Sequence, residues 1–397
     1  MGLMKKLGIS KQTSYLALVT AIRGLGNNLR YLLWQPFALS LGIPMRSIGA
    51  LESLTDFAKL LIQPVIGAAS DSWGRKPFLV LRDLLIVVSG LCFLFARDWS
   101  LLALGMILIG FAVAMMPIYT ATVAESTNPD QLGWTYSLLG SCYTTLGLVG
   151  SFSAGFLAEN YGYSTVYLLA TVFAVISLLV TLYKIEETHE TKQNMGFTLR
   201  DALSSFSDAF KPPRYLWGFY IAMSVDLFAF SVGWRLINGM LTDSFGITPY
   251  QLGVVTTVHT ATMTVFQVVL GRYVDRVGYV KYLVISQILS CILLGVLLIN
   301  QSYLSILVAY LIMGFSAAFW GPAEQAWIAR NVNPDEMAKS MGGYSTFRGL
   351  VALPGPLIGG YLFDLYGYHI PVLVNLVIAA FDVGLLYFLI KDHARPE

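Results

Sequence analysis

This 397-residue chain is short of charge. Asp, Glu, Lys and Arg make up 12% of it, whereas 56% of its residues are hydrophobic. A soluble domain carries about 25% charged residues. The shortage excludes a chain with much mass in water and points to a membrane protein with little outside the bilayer. The net charge of +2 comes without a basic patch, so nucleic acid is not an expected partner. Cysteine is scarce as well. Cys92, Cys142 and Cys291 are an odd set inside apolar runs, which suits neither a disulfide framework nor a metal site. The few histidines are scattered, which argues against a metalloenzyme. No glycine loop ends in Lys-Ser/Thr, so ATP is not expected to drive the protein. No catalytic constellation is present: neither an enzyme nor a cofactor is expected. The start, "MGLMKKLGISKQ", lacks a cleavage-site pattern and is expected to be retained.

What is present is a series of long apolar runs. A spanning helix needs about 20 such residues. Runs lie near 14–40, 47–69, 77–96, 100–124, 133–157, 163–183, 214–241, 250–271, 280–299, 303–328, 340–363 and 369–390. They predict an all-α membrane protein with about twelve transmembrane helices, because lipid offers the backbone no partners and the alternation of a barrel strand is absent. Most connections are short and force antiparallel neighbours. The stretch from Lys184 to Arg214 is longer and polar, and ends in Pro212-Pro213. It divides the chain into a six-helix bundle over 1–183, a linker over 184–213 and a second bundle over 214–397. The linker is expected to carry one amphipathic helix along the membrane surface.

Basic residues set the expected orientation. Lys5, Lys6, Lys11, Arg75, Lys76, Lys184, Lys192, Arg200, Lys211, Arg272, Arg276, Lys281, Lys339, Lys391 and Arg395 fall on one side. Arg46 and Arg97 are nearly alone on the other. The positive-inside rule then puts both termini and the linker in the cytoplasm, on a multi-pass protein of the cell membrane.

The stretch "GAASDSWGRK" (Gly67–Lys76) returns as "GRYVDRVGYVK" (Gly271–Lys281). Gly67, Asp71 and Gly74 match Gly271, Asp275 and Gly278 at an offset of 204, as do Gly42 with Gly246, Gly49 with Gly253, Gln63 with Gln267 and Gly110 with Gly314. After one inserted residue the offset is 205: "NPDQL" at Asn128 aligns with "NPDEM" at Asn333, and "GFLAENYGY" at Gly155 with "GYLFDLYGY" at Gly360. The chain is therefore two pseudo-symmetric six-helix halves (6+6). Such repeats, with a site near the bilayer midplane, are typical of alternating-access transporters.

On these residues the chain resembles the major facilitator superfamily over nearly its whole length. The loop carrying Gly67, Asp71, Gly74, Arg75 and Lys76 is similar to that family's signature loop, and the mirrored loop is degenerate. The resemblance implies that helices 1, 4, 7 and 10 line a cavity, that the halves rock, and that the loop is a conformational latch. Asp71 is then expected to face a helix N-terminus across the interface between halves, and Arg75 to pair with an acid such as Glu125. The chain departs from the family's drug antiporters. Helix 5 has "GSFSAG" (Gly150–Gly155) without their proline, "GPLIGG" (Gly355–Gly360) stands in helix 11 instead, and helix 4 lacks the arginine of proton-coupled members. Small residues in helices 5 and 11 also permit close packing.

Ionisable residues inside apolar runs face a cavity or a partner by default. Arg23, Asn27, Arg30 and Trp34 form one stripe on helix 1, and Glu52, Asp56, Lys59 and Gln63 another on helix 2. Counted from the turn near Pro44, Arg30 and Asp56 sit at similar depth, so an Arg30–Asp56 pair with Lys59 beside it is expected. It is a lock or a substrate clamp. Helix 7 brings Asp226 and Arg235, nine residues apart and so not partners. Arg30 and Arg235 hold near-equivalent places. By similarity to anion-carrying family members, that pair suggests an anionic substrate. On helix 10 a break is expected at Gly321-Pro322, followed by a face shared by Trp320, Glu324 and Trp327. Glu324 corresponds to Tyr119 and Arg348 to Tyr143 at the offset of 205. Both members of the pair change together, so Glu324 and Arg348 are expected to touch. The pair is a proton carrier or a fixed ion pair. His259 titrates near neutral pH or is merely hydrogen-bonded. Asp382 on an outer helix has no evident partner. Trp34, Tyr119, Trp234, Trp320 and Trp327 are the aromatic residues expected at the cavity.

The leading expectation is a secondary active transporter of a small organic solute, coupled to protons, surrounded by membrane lipids and monomeric. The alternatives are an organic-anion exchanger or exporter without proton coupling, and a lipid-handling or non-transporting protein of the same fold.

Overall fold

Each long apolar run folds as a helix, the form that satisfies its own backbone. The computed structural model describes residues 10–128, 131–188, 211–271, 273–332 and 337–390. The expected linker helix, the second Asn-Pro-Asp motif, and Lys5, Lys6, Lys192, Arg200, Arg272, Lys391 and Arg395 lie outside these residues. No strand occurs among the described residues. The helices are α1 (Lys11–Ser40), α2 (Met45–Trp73), α3 (Lys76–Phe95), α4 (Trp99–Ala114, resuming as Met116–Glu125), α5 (Leu132–Tyr161) and α6 (Tyr163–Lys184). The second series is α7 (Trp217–Val232, resuming as Ile237–Phe245), α8 (Pro249–Gly271), α9 (Tyr279–Ile299), α10 (Tyr303–Asn331), α11 (Met337–Ala352, resuming as Gly355–Tyr366) and α12 (His369–Leu389). The expected break at Gly321-Pro322 is absent. Pro322 lies inside a continuous α10.

Eight of these rods are long and apolar enough to cross a membrane by length and composition. The other four, α1, α2, α5 and α11, are interrupted by charge, hydroxyls or glycine. The exposed faces explain why all belong in lipid. Along α6, Leu168, Val172, Val175, Ile176, Leu179 and Leu182 are exposed, while Ser177 and Thr181 are buried. Along α12, Leu373, Val377, Phe381 and Phe388 are exposed, while Asn375 and Asp382 are buried. A helix with apolar residues outside and polar residues inside is the inverse of a soluble surface helix, and it suits hydrocarbon.

The chain forms two compact units. The first holds α1, α3–α6 and α2 from Leu54 onward. The second holds α7–α12 together with the Pro44–Ser53 stretch at the start of α2. In the first unit α1 packs on α5 and α6, and α3 on α4 and α6. In the second, α7 packs on α11 and α12, and α9 on α10 and α12. These are the same neighbours, one repeat on.

The backbone carries the repeat in detail. The described residues with positive φ are all glycine, and they fall into three pairs: Gly42 with Gly246, Gly74 with Gly278, and Gly162 with Gly367. Each pair is 204 or 205 residues apart, and each stops or starts a helix where an L side chain would be strained. Two close approaches repeat as well. A Cβ on Gly110 would lie 2.4 Å from the Thr55 carbonyl oxygen, and one on Gly314 2.6 Å from that of His259. Thr55 and His259 are themselves 204 apart, so α2 meets α4 as α8 meets α10.

These two glycines are therefore places where the helix backbones touch. Gly110→Ala and Gly314→Ala should each destabilise the protein by about 1–3 kcal/mol. Gly295→Ala, mid-helix with nothing within 4 Å of the added carbon, should be neutral or gain up to ~1 kcal/mol. Thermal unfolding in detergent separates the two behaviours.

Candidate functional site

Three polar assemblies stand out, two in the first unit and one in the second. The first is built on Asp83, in the middle of α3. Its Oδ1 accepts from Arg23 Nε at 3.0 Å, and its Oδ2 accepts from Arg23 Nη2 at 2.8 Å. The Thr181 hydroxyl donates to Oδ2 at 2.6 Å and that of Ser177 at 3.3 Å. This is a two-pronged, fully ligated buried ion pair joining α1, α3 and α6. Arg82, the preceding residue, turns toward α4: its Nη2 lies 3.4 Å from the Met116 sulfur. Its Nε and Nη1 are buried without a partner among the described residues. Both Arg23 and Arg82 lie over the ring of Tyr119, at 5.4 and 5.9 Å, and the Tyr119 hydroxyl bonds to Thr20.

The expected Arg30–Asp56 pair is not formed. Arg30 is buried at 8% exposure, with Tyr143 and Tyr167 as its ionisable neighbours. It faces a cavity shared with Arg23, Asn27, Arg82 and Asp83. Equal depth did not make Arg30 and Asp56 partners, because depth says nothing of the direction a helix face takes. Asp56 and Lys59 are half-buried on α2. Trp34 is fully buried in the core, as is Trp327, which stacks on Phe219 at 4.1 Å. Trp234 lines a cavity in the second unit.

The second assembly is the loop between α2 and α3. Arg75 reaches Asp71 at 2.6 Å, Glu125 at 3.2 Å and the Ser70 hydroxyl at 2.7 Å. A member unforeseen in the sequence is Glu187, just beyond α6. Its carboxylate accepts the backbone N–H groups of Arg75 at 2.7 Å and Lys76 at 2.9 Å, and so caps the N-terminus of α3. Gly74 makes room for it: φ is +92°, and a Cβ there would lie 2.5 Å from Glu187 Oε2. Thr188 donates to Glu125 at 2.6 Å. Gly67 has open space beside it, so packing in the described structure does not demand it.

The third assembly lies in the second unit. Glu324 Oε1 accepts from Arg348 Nη1 at 2.6 Å and from the Tyr344 hydroxyl at 2.6 Å. Its Oε2 accepts from Trp320 Nε1 at 2.9 Å. Arg348 Nη2 turns to Asp226 Oδ2 at 3.4 Å, which the Gln287 side chain also meets. Glu324 and Arg348 thus touch, and Asp226, on α7, joins them rather than Arg235. Tyr344 was legible as the residue four before Arg348 on the same helix face. Arg235 pairs instead with Glu52, on the Pro44–Ser53 stretch, at 2.6 and 2.9 Å. That pair takes up the charge of Arg235. His259 has its Nε2 buried without a partner among the described residues, and so have both carboxyl oxygens of the fully buried Asp382.

Helical rods with lipid-facing apolar surfaces, a doubled six-helix plan and ion pairs inside each bundle describe a multi-pass membrane transporter. The profile of the Major Facilitator Superfamily matches residues 16–234 and 227–397, and the chain belongs to that family. It is similar to "Multidrug resistance protein 2" of Bacillus subtilis (strain 168), at 24% identity over 85% of each chain. It is also similar to "Multidrug resistance protein MdtG" of Klebsiella pneumoniae (strain 342), at 25% identity over 84% of this chain and 81% of the other. Among solved structures it shares the fold of the human organic anion transporter MFSD10 (TM-score 0.70, 19% identity, 95% of this chain and 99% of that one). The nucleoside transporter NupG is a second such structure (TM-score 0.73, 15% identity, 96% and 98%). The family and these likenesses support a secondary transporter of small molecules.

The ligated Asp83 yields one test. Arg23→Leu should destabilise the protein by about 3–5 kcal/mol, since it leaves a buried carboxylate uncompensated. The double variant Arg23→Leu/Asp83→Leu should recover most of that loss in thermal unfolding. Glu187 yields another: in Glu187→Gln, the first amides of α3 should exchange hydrogen faster, while those of α10 stay unchanged.

Proposed function

We propose that this protein is a proton-coupled secondary transporter of a small organic solute, with Glu324 as the group that carries the coupling proton. The observation behind this reading is that two carboxylates, Glu324 and Asp226, share one guanidinium, Arg348. Two acids and one base in a medium that solvates charge poorly leave one negative charge in excess. A proton on either acid removes it. Arg348 is then free to favour the other, so protonation and rearrangement of α7, α10 and α11 are coupled. Trp320 and Tyr344 donate to Glu324 from either side, which suits a group whose charge must be held when the proton leaves.

The names of the relatives favour outward transport of drug-like organic compounds, despite the missing helix 5 proline and helix 4 arginine. The loop of Asp71, Gly74, Arg75, Glu125 and Glu187 suits a latch whose ion pairs break and re-form as the protein changes state. A monomer in the cell membrane, with both termini and the 184–213 linker in the cytoplasm, completes the proposal.

Glu324→Gln tests it in proteoliposomes. Solute exchange needs no net proton movement and should persist. Accumulation driven by an imposed pH gradient should be lost. A stable Glu324→Gln variant with full pH-driven accumulation overturns the assignment and transfers attention to Asp226.

A further inference from the structure

The first bundle holds more positive charge than it neutralises. The cavity between α1, α3 and α6 is lined by Arg23, Asn27, Arg30, Arg82, Asp83 and Ser177. Three guanidinium groups face one carboxylate, an excess of two charges. Asp83 is already taken up by Arg23, Ser177 and Thr181. Arg82 is 8% exposed, and its Nε and Nη1 have no partner among the described residues. Arg30 is equally buried, with no carboxylate among its ionisable neighbours. The remaining ionisable neighbours, Tyr119, Tyr143 and Tyr167, are phenols and bring no compensating charge near neutral pH. We propose that this cavity is an anion site, in which Arg82 and Arg30 hold one small negative group, a halide or the carboxylate of an acidic solute.

Three considerations carry the proposal. A buried carboxyl can escape its isolation by taking a proton, but a guanidinium cannot lose one at any pH the protein meets. Charge balance at Arg82 and Arg30 is therefore not supplied by the described residues of this bundle. Packing of the repeat does not require arginine here. At the offset of 204, Arg23, Arg30 and Arg82 correspond to Leu227, Trp234 and Ser286, so the second bundle builds the same helix contacts without them. Finally, the cavity offers about 20 Å³ in which a water-sized molecule can be centred. That is room for one small ion or a single carboxylate head. Guanidinium is suited to both, with a fork that matches carboxylate oxygens.

The site is independent of proton coupling at Glu324, and its test needs no transport. Unfolding temperature is measured in detergent at constant ionic strength, as chloride or acetate replaces the bulky HEPES anion. Binding at a specific site raises the temperature with the logarithm of anion concentration above its Kd, whereas screening of surface charge depends on ionic strength, which is held constant. Arg82→Gln should weaken that dependence about tenfold or more. Arg46→Gln, which removes an exposed pair to Asp364, and Glu324→Gln should retain it. A response to chloride identifies an inorganic anion, and a response to acetate alone identifies the carboxylate of a solute. Wild-type stability that is indifferent to the anion, or the same response in Arg82→Gln, overturns the proposal. If Arg82→Gln does not fold, Arg82→Lys replaces it. A lysine keeps the charge without the fork, so it should retain chloride binding and lose most of the acetate response.

Discussion

Hydrocarbon solvates neither a backbone amide nor an ionised side chain. A polar group inside these bundles is therefore costly unless a partner meets it, from the protein or from a bound ion. The Arg23–Asp83 pair shows what that takes. One carboxylate receives a two-pronged guanidinium and two hydroxyls from a third helix, and α1, α3 and α6 are tied together as a result. Glu324 is ligated as fully, by Trp320, Tyr344 and Arg348, but its arginine is shared with Asp226. A fully ligated single pair holds its helices in one arrangement. A shared arginine allows two.

The repeat divides these duties between backbone and side chains. Left-handed glycines recur in pairs, and so does the close approach of α4 to α2 and of α10 to α8. These features set where helices stop and how near they come, and the same geometry is needed in both bundles. The charged groups inside the bundles do not recur. Tyr119 lies under two arginines in the first bundle, and its counterpart in the second is Glu324. Asp83 has Gln287 as its counterpart. One scaffold, built twice, thus carries two different electrostatic interiors.

The glycine pairs and the apolar runs were legible in the sequence because both act locally: a run of about 20 apolar residues or a φ that only glycine tolerates needs no knowledge of tertiary neighbours. The meeting of Glu324 with Arg348 was legible for another reason, since the repeat supplied a comparison in which both positions changed together. Arg30 and Asp56 misled, because helical rise gives depth but not the direction of a face. Asp83 was overlooked although "RDLL" sets two charges inside an apolar run, which is a signal in itself. Glu187 gave no signal at all. Its role depends on the end of α6 lying beside the start of α3, and only the folded chain brings these ends together.

The two interiors also differ in the sign of what is left over. Carboxylates exceed arginines around Arg348, where Asp226, Glu324 and the buried Asp382 are found. Arginines exceed carboxylates around Asp83. An acidic interior can change its charge in place, by binding or releasing a proton as water reaches it. A guanidinium interior has a fixed charge, and only an arriving anion can change its balance. The excess charge around Arg348 is one that a proton can cancel, and the excess around Asp83 is one that an anion can cancel.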